Sequence, residues 1–171
     1  SQLGYIIGKK NLDSSLKIYF QEFKFKHPTP RDFIRIAERV SGILLNWYLT
    51  DWTQTTNTID YKIARVSELK NKTIIDLERI GMMPMPLEIL ISYKNGKKQI
   101  HYIPIGIMRG EKTPRPDIEW ILHKDWTWSN PNYKLIINST LDSVEKITID
   151  PSNLMADVDK SNNYYLNNND Q

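Results

Sequence analysis

Apolar residues near the start of the chain recur every three or four positions, the spacing of a helix with one buried face. They are Leu12, Leu16, Tyr19, Phe20 and Phe23. This helix is expected to end near His27-Pro28, because the residue before a proline is pushed out of the helical region. Thr29-Pro30-Arg31-Asp32 then predicts the start of a second helix, with Thr29 and Asp32 as a capping box.

The second helix is expected to end at Ser41-Gly42, because Gly42 is free to adopt the left-handed conformation. A third helix is predicted from apolar residues at the same spacing: Leu45, Tyr48, Leu49 and Trp52. Three short helices cannot bury this much apolar and aromatic surface among themselves. The sequence therefore predicts that the helices need a partner surface.

From Thr56 onwards the apolar period changes to two, which indicates strands. They are predicted over 59–63, 71–80, 118–122, 133–137 and 144–149, with one further pair around residue 95. Together the patterns predict an α+β chain. Residues 1–55 form a segment of about three helices, residues 56–151 form an immunoglobulin-like antiparallel β-sandwich, and residues 152–171 form an Asn-rich tail. The end of this tail, from Ser161 to Gln171, is expected to be loosely ordered.

Asn95-Gly96 lies between two alternating runs and is typical of a hairpin with a type I′ turn. A two-residue loop there fixes the register of the two strands. The expected pairs are Tyr93 with Lys98, Ile91 with Ile100, and Ile89 with Tyr102. The apolar members of these pairs would then share one face.

The composition of the chain excludes several classes of functional site. The 171 residues include no Cys, which excludes disulfides, thiolate zinc sites and a cysteine nucleophile. His27, His101 and His123 are too far apart in sequence for an H-E-x-x-H motif, so a self-contained zinc enzyme is not expected. The net charge of +3 is too small to indicate nucleic acid as a partner. No run approaches the roughly 20 apolar residues that span a bilayer.

Trp126-Thr127-Trp128 is a candidate ligand site. Two indoles two positions apart lie on the same side of an extended chain, where they can stack on a sugar or a peptide. The alternative is that both rings close one end of the sandwich core. Arg109, in a basic, proline-rich connection, can meet a carboxylate or belong to a solvated loop. No catalytic, cofactor-binding or metal-binding residue is predicted.

Residues 4–63 carry a longer series of motifs. It runs through Leu16, Tyr19-Phe20, Phe25-Lys26-His27-Pro28-Thr29-Pro30, Asp32-Phe33, Ser41-Gly42, Leu45, Trp47-Tyr48, Trp52 and Thr55 to Tyr61. The series resembles the end of the catalytic domain in aminopeptidase N-like zinc metallopeptidases (peptidase family M1, gluzincin type), in a bacterial side branch. The later motifs Met82 to Leu87, Met108 to Glu111 and Asp150-Pro151 resemble the sandwich domain that follows it.

The resemblance implies a zinc enzyme whose H-E-x-x-H and G-x-M-E-N motifs lie upstream of Ser1, since neither motif occurs in this sequence. It implies that the present chain is a non-catalytic C-terminal fragment, without a cofactor of its own, while zinc belongs to the full-length parent. Its expected partner is the upstream catalytic domain of the same polypeptide, and peptide substrate is bound only through the parent. The parent is expected to be periplasmic or associated with the cell envelope.

Two alternatives remain. One is a β-sandwich module that binds sugar or peptide through Trp120, Trp126 and Trp128, which exposure of these rings would favour. The other is a parent that has lost its zinc motif and acts purely as an interaction protein. If the chain is a fragment of a metallopeptidase, the isolated fragment is expected to expose an apolar patch and to self-associate.

Overall fold

The computed structural model describes residues 1–167 and shows an α+β chain, as the apolar periods predict. Four helices come first: α1 (Gln2–Ile7), α2 (Lys9–Phe23), α3 (Pro30–Ser41) and α4 (Asn46–Gln54). Eight strands follow: β1 (Tyr61–Leu69), β2 (Lys72–Arg79), β3 (Leu87–Tyr93), β4 (Lys98–Ile103), β5 (Glu119–Leu122), β6 (Asn132–Ile137), β7 (Val144–Ile149) and β8 (Tyr164–Leu166). Short 3-10 turns lie between some of the strands.

The predicted signals at both ends of α3 are present. The Thr29 backbone N–H and hydroxyl both donate to the Asp32 carboxylate, at 2.8 and 2.7 Å, and Gly42 ends the helix with φ at 71°. The sequence did not predict α1, because six residues make fewer than two turns and show no period. Gly8, with φ at 85°, turns the chain between α1 and α2.

The strands form two sheets. One has three antiparallel strands in the order β1-β2-β6, and the other has five in the order β5-β4-β3-β7-β8, antiparallel except for the β4–β5 pair. Alternate residues of both sheets enter one buried core: Ile75, Leu77, Leu135 and Ile137 from the first, and Ile89, Ile91, Ile147 and Ile149 from the second. The intervening residues of β3 and β4 include Glu88 and Tyr102, which are also buried. The five-stranded sheet is therefore covered on both faces at its centre.

The hairpin at Asn95-Gly96 is confirmed, but its predicted register is wrong by one residue. Ile91 pairs with Gln99, and Ile89 pairs with His101. A type I′ turn needs positive φ at both central residues, whereas only Gly96 has it, at 83°. The loop is a three-residue turn, closed by Gly96 N–H to Tyr93 O at 2.8 Å. As a consequence, Gln99 and His101 face the space between the two sheets.

The expectation of a loosely ordered end is wrong for residues 161–167, and residues 152–160 are ordered as well. Met155 is 1% exposed, and the Gln2 amide of α1 donates to Leu154 O at 2.9 Å. The Asp157 carboxylate accepts the Tyr61 N–H at 3.1 Å, and β8 pairs with β7. The segment is ordered because it returns across the sheets and contacts α1, β1 and β7. Residues 168–171 lie outside the described part of the chain.

This packing yields a first prediction. Met155→Ala is expected to lower the free energy of unfolding by about 2 kcal/mol, because it leaves a cavity in the core. Leu154→Ala, at an exposed neighbour, is expected to change it by less than about 0.5 kcal/mol. Urea unfolding measures both, and equal small effects would show that the segment is not packed as described.

Candidate functional site

The helices leave large apolar side chains uncovered. Leu16 and Phe20 lie one turn apart on α2, and Phe20 is 69% exposed. Next to them on α2, the Tyr19 ring contacts the Phe33 ring of α3 edge-on, with centroids 5.4 Å apart. The helix therefore packs one face on α3 and presents Leu16 and Phe20 to solvent. We call Leu16, Phe20 and Phe25 the α2 surface.

Phe25 combines full exposure with backbone strain. It follows the end of α2, is 98% exposed, and has φ at 65°, in the left-handed region. This conformation costs a residue with a side chain about 1 kcal/mol relative to the right-handed region. Lys24 and Lys26 flank it and hold their ammonium groups 5.8 Å from the Phe25 ring and 5.6 Å from the Phe23 ring. The ring contributes no core packing that would offset the strain.

A second uncovered region belongs to α4. None of the α4 residues is fully buried, and Trp52 and the preceding Leu44 are exposed. The Tyr48 ring lies between the Trp47 and Trp52 rings, at 6.0 and 5.9 Å between centroids. Trp47 and Tyr48 also pack against the core, whereas Trp52 remains exposed, so α4 lacks a cover on its outer side.

The helical segment contacts a buried ion pair of the five-stranded sheet through Tyr5. Glu88 of β3 is 2% exposed, and its carboxylate pairs with the Lys112 ammonium from the connection between β4 and β5. The same ammonium lies 5.2 Å from the centroid of the Tyr5 ring in α1, and the Tyr5 hydroxyl accepts the Glu88 N–H at 3.1 Å. Burial and the nearby Glu88 and Asp150 carboxylates raise the pKa of Tyr5.

Trp126 and Trp128 do not form a shared platform. Trp126 is buried, its indole N–H donates to Asn130 O at 2.7 Å, and its ring packs between Tyr61 and Tyr133. Trp128 is 53% exposed. The chain turns after Trp126, with Asn130 N–H bonded to Thr127 O, so residues two apart no longer point to the same side.

The other two predicted site residues, Trp120 and Arg109, do not form a ligand site either. Trp120 of β5 is half-buried and packs on the Tyr102 ring at 5.2 Å. Arg109 is exposed, has φ at 46°, and lines a cleft of about 310 Å³ with Gly110, Lys124 and Asp125. Because both basic and acidic side chains line the cleft, it provides no selective site for a carboxylate.

The sequence reasoning missed a histidine pair. His101 Nδ1 and His123 Nε2 are 2.8 Å apart, a hydrogen bond in which one ring donates to the other. The rings come together because β4 and β5 pair in parallel, with His101 opposite Ile121. Both line a cavity of about 230 Å³ that Gln99 and Asn138 also line. Burial, and then the neighbouring His123, lower the pKa of His101 to about 4.

Within residues 1–167, no group of three or more His, Asp or Glu side chains is arranged to hold a metal ion. In the same part of the chain, no helix has the length and apolar character needed to cross a membrane. No protein-family model matches the chain, and no curated protein matches it.

A second prediction concerns the buried ion pair. Lys112→Met is expected to lower the free energy of unfolding by about 3 kcal/mol, because the Glu88 carboxylate is left buried without a partner. The double variant Glu88→Met/Lys112→Met is expected to recover most of this loss, since no unpaired charge remains. Lys9→Met, which removes an exposed ion pair with Asp13, serves as the control and should cost under about 0.5 kcal/mol. A double variant as unstable as Lys112→Met would contradict this assignment.

A third prediction follows from the histidine pair. His101 has a folded pKa of about 4, below its ordinary 6.5, so the unfolded chain binds more protons between these pH values. Stability is therefore fully present above pH 6.5 and decreases as the pH falls toward 4. Between pH 7.5 and 4.5 the loss from His101 is expected to be about 2 kcal/mol. Chemical unfolding at both pH values should show a smaller loss in His101→Gln and an unchanged loss in His27→Gln, which alters an exposed histidine. Identical pH dependence in both variants would refute the assignment.

Proposed function

We propose that this chain is the non-catalytic C-terminal part of a zinc aminopeptidase of the M1 type, docked through its helices on the upstream zinc domain of the same polypeptide. The motif series over residues 4–63 is the first support, because its helix start at Thr29-Pro30-Arg31-Asp32 and its Ser41-Gly42 turn coincide with the bounds of α3. The finer architecture that we propose for the strands is an immunoglobulin-like sandwich.

The observation that carries the proposal is the uncovered apolar surface on α2 and α4. Side chains such as Leu16, Phe20 and Trp52 are apolar at helical spacing, yet they face solvent in the chain as described. Residues with that spacing are normally buried against a partner, and exposed apolar patches mark interaction sites. A missing upstream domain accounts for all of them at once.

In this proposal the strands are a support rather than a catalyst. Tyr5 of α1 contacts both members of the Glu88–Lys112 ion pair, which ties α1 to the five-stranded sheet. The parent supplies the zinc, binds the peptide and performs the hydrolysis, and this part holds the zinc domain and shapes access to its cleft. We further propose a periplasmic or envelope location for the parent.

The alternative function, a module that stacks sugars or peptides on paired indoles, has less support. Of its three rings, Trp126 is buried and Trp120 is half-buried, which leaves Trp128 alone in solvent. A single exposed ring contributes area but provides no defined site between two rings.

The test uses the isolated chain and compares two exposed apolar positions. Phe20→Ser is expected to reduce both self-association in sedimentation velocity and the fluorescence of a bound hydrophobic dye, because it removes an uncovered ring. Leu69→Ser, at an exposed position on β1, is the matched control and should change neither. The purified chain is expected to show no hydrolysis of an aminoacyl anilide. Peptidase activity of the chain, or equal effects of the two variants, would overturn the proposal.

A further inference from the structure

Phe25 differs from the other residues of the α2 surface, because in the isolated chain its ring is exposed to water and its backbone is strained. A helix residue such as Phe20 is exposed on a favourable backbone, whereas Phe25 has φ at 65° and is 98% exposed. Local hydrogen bonds hold this conformation: Lys24 N–H bonds to Phe20 O at 3.1 Å, and Lys26 N–H to Phe23 O at 2.9 Å. The turn thus presents the ring outward.

The surroundings of Phe25 are basic. Lys17, Lys24, Lys26 and Arg31 are exposed nearby in sequence, and none of them forms an ion pair with a carboxylate of residues 1–167. The nearest acidic side chain along α2 is Glu22, which is already paired with Arg39 of α3 at 2.7 Å. Basic residues without an ion-pair partner therefore flank an exposed aromatic ring, an arrangement typical of an interface anchor with a charged rim.

We propose that Phe25 inserts into an apolar pocket with a rim of Asp and Glu side chains on the upstream domain, an inference that rests on the proposed function for the existence of that domain. Insertion removes the ring from water, and the binding energy offsets the left-handed backbone. The acidic rim pairs with Lys24 and Lys26, which fixes the orientation of the ring in its pocket.

The backbone of Phe25 allows a variant that separates docking from folding. Phe25→Gly removes the ring and also relieves the strain, because glycine adopts positive φ freely. In the isolated chain, Phe25→Gly is therefore expected to leave Tm unchanged or to raise it. In the full-length polypeptide, the same substitution is expected to lower Tm by about 3 °C or more, because an anchor is lost.

The rim is tested by charge reversal in the full-length polypeptide. Lys24→Glu/Lys26→Glu is expected to lower Tm, and the difference from wild type is expected to shrink at 0.5 M NaCl, because salt screens rim charges. Lys10→Glu, an exposed lysine at the opposite end of α2, is the matched control and should have little effect. Both sets are measured by differential scanning calorimetry.

Three outcomes of these measurements would contradict the insertion of Phe25 into an upstream domain. A fall in Tm caused by Phe25→Gly in both contexts would show a purely structural role, and no fall in either would show that nothing covers the ring. Loss of self-association in the isolated chain without an effect in the full-length polypeptide would make a second copy the occupant. Each of these overturns the inference. The proposed function is judged separately, by zinc-dependent peptidase activity of the full-length polypeptide, so the two can fail independently.

Discussion

The buried ion pair between Glu88 and Lys112 connects the parts of this structure. A charge that leaves water must be compensated within the protein, and each of these two groups has the other as its counter-charge. Glu88 belongs to the central strand β3, Lys112 to the connection between β4 and β5, and both contact Tyr5 of α1. Three segments distant in sequence therefore meet at one point, and separating α1 from the sheet would remove the Tyr5 hydroxyl and ring from the buried pair.

That connection explains how the chain can be ordered and yet incompletely covered. The five-stranded sheet is covered by the other sheet on one side and by α1 on the other, and α2 and α4 add partly buried side chains such as Leu12 and Tyr48 to the core. These two helices lie on the outside of the core, where some of their side chains pack inward and Phe20 and Trp52 remain exposed. The arrangement leaves an apolar surface on the outside, which is consistent with the supporting role that we propose.

Local signals in the sequence predicted local structure. The capping box at Thr29 and Asp32 and the left-handed Gly42 depend only on neighbouring residues, and they located α3 correctly. The register at Asn95-Gly96 failed by one residue because Asn95 kept negative φ, a choice that the dipeptide does not reveal. Two successive residues with positive φ occur instead at Lys70-Asn71, between β1 and β2. The sequence analysis did not predict a turn of this type there, because the pair contains no glycine.

Features that depend on contacts between distant segments could not be predicted from the sequence. The His101–His123 contact needs the parallel β4–β5 pairing, which is made by a long connection, and the order of residues 152–167 needs contacts to α1 and β1. Trp126 and Trp128 are two residues apart, but a turn separates them, so a period of two did not apply. The strained exposure of Phe25 likewise has no signal in its Lys-Phe-Lys sequence.

Docking of the α2 surface on an upstream zinc domain is the central claim, and amide hydrogen exchange tests it most directly. The exchange rates of residues 16–25 are to be compared between the isolated chain and the full-length polypeptide, with β3 as an internal reference that is buried in both. The account predicts markedly slower exchange for residues 16–25 in the full-length polypeptide and unchanged exchange for β3. Equal exchange of residues 16–25 in the two contexts would contradict it.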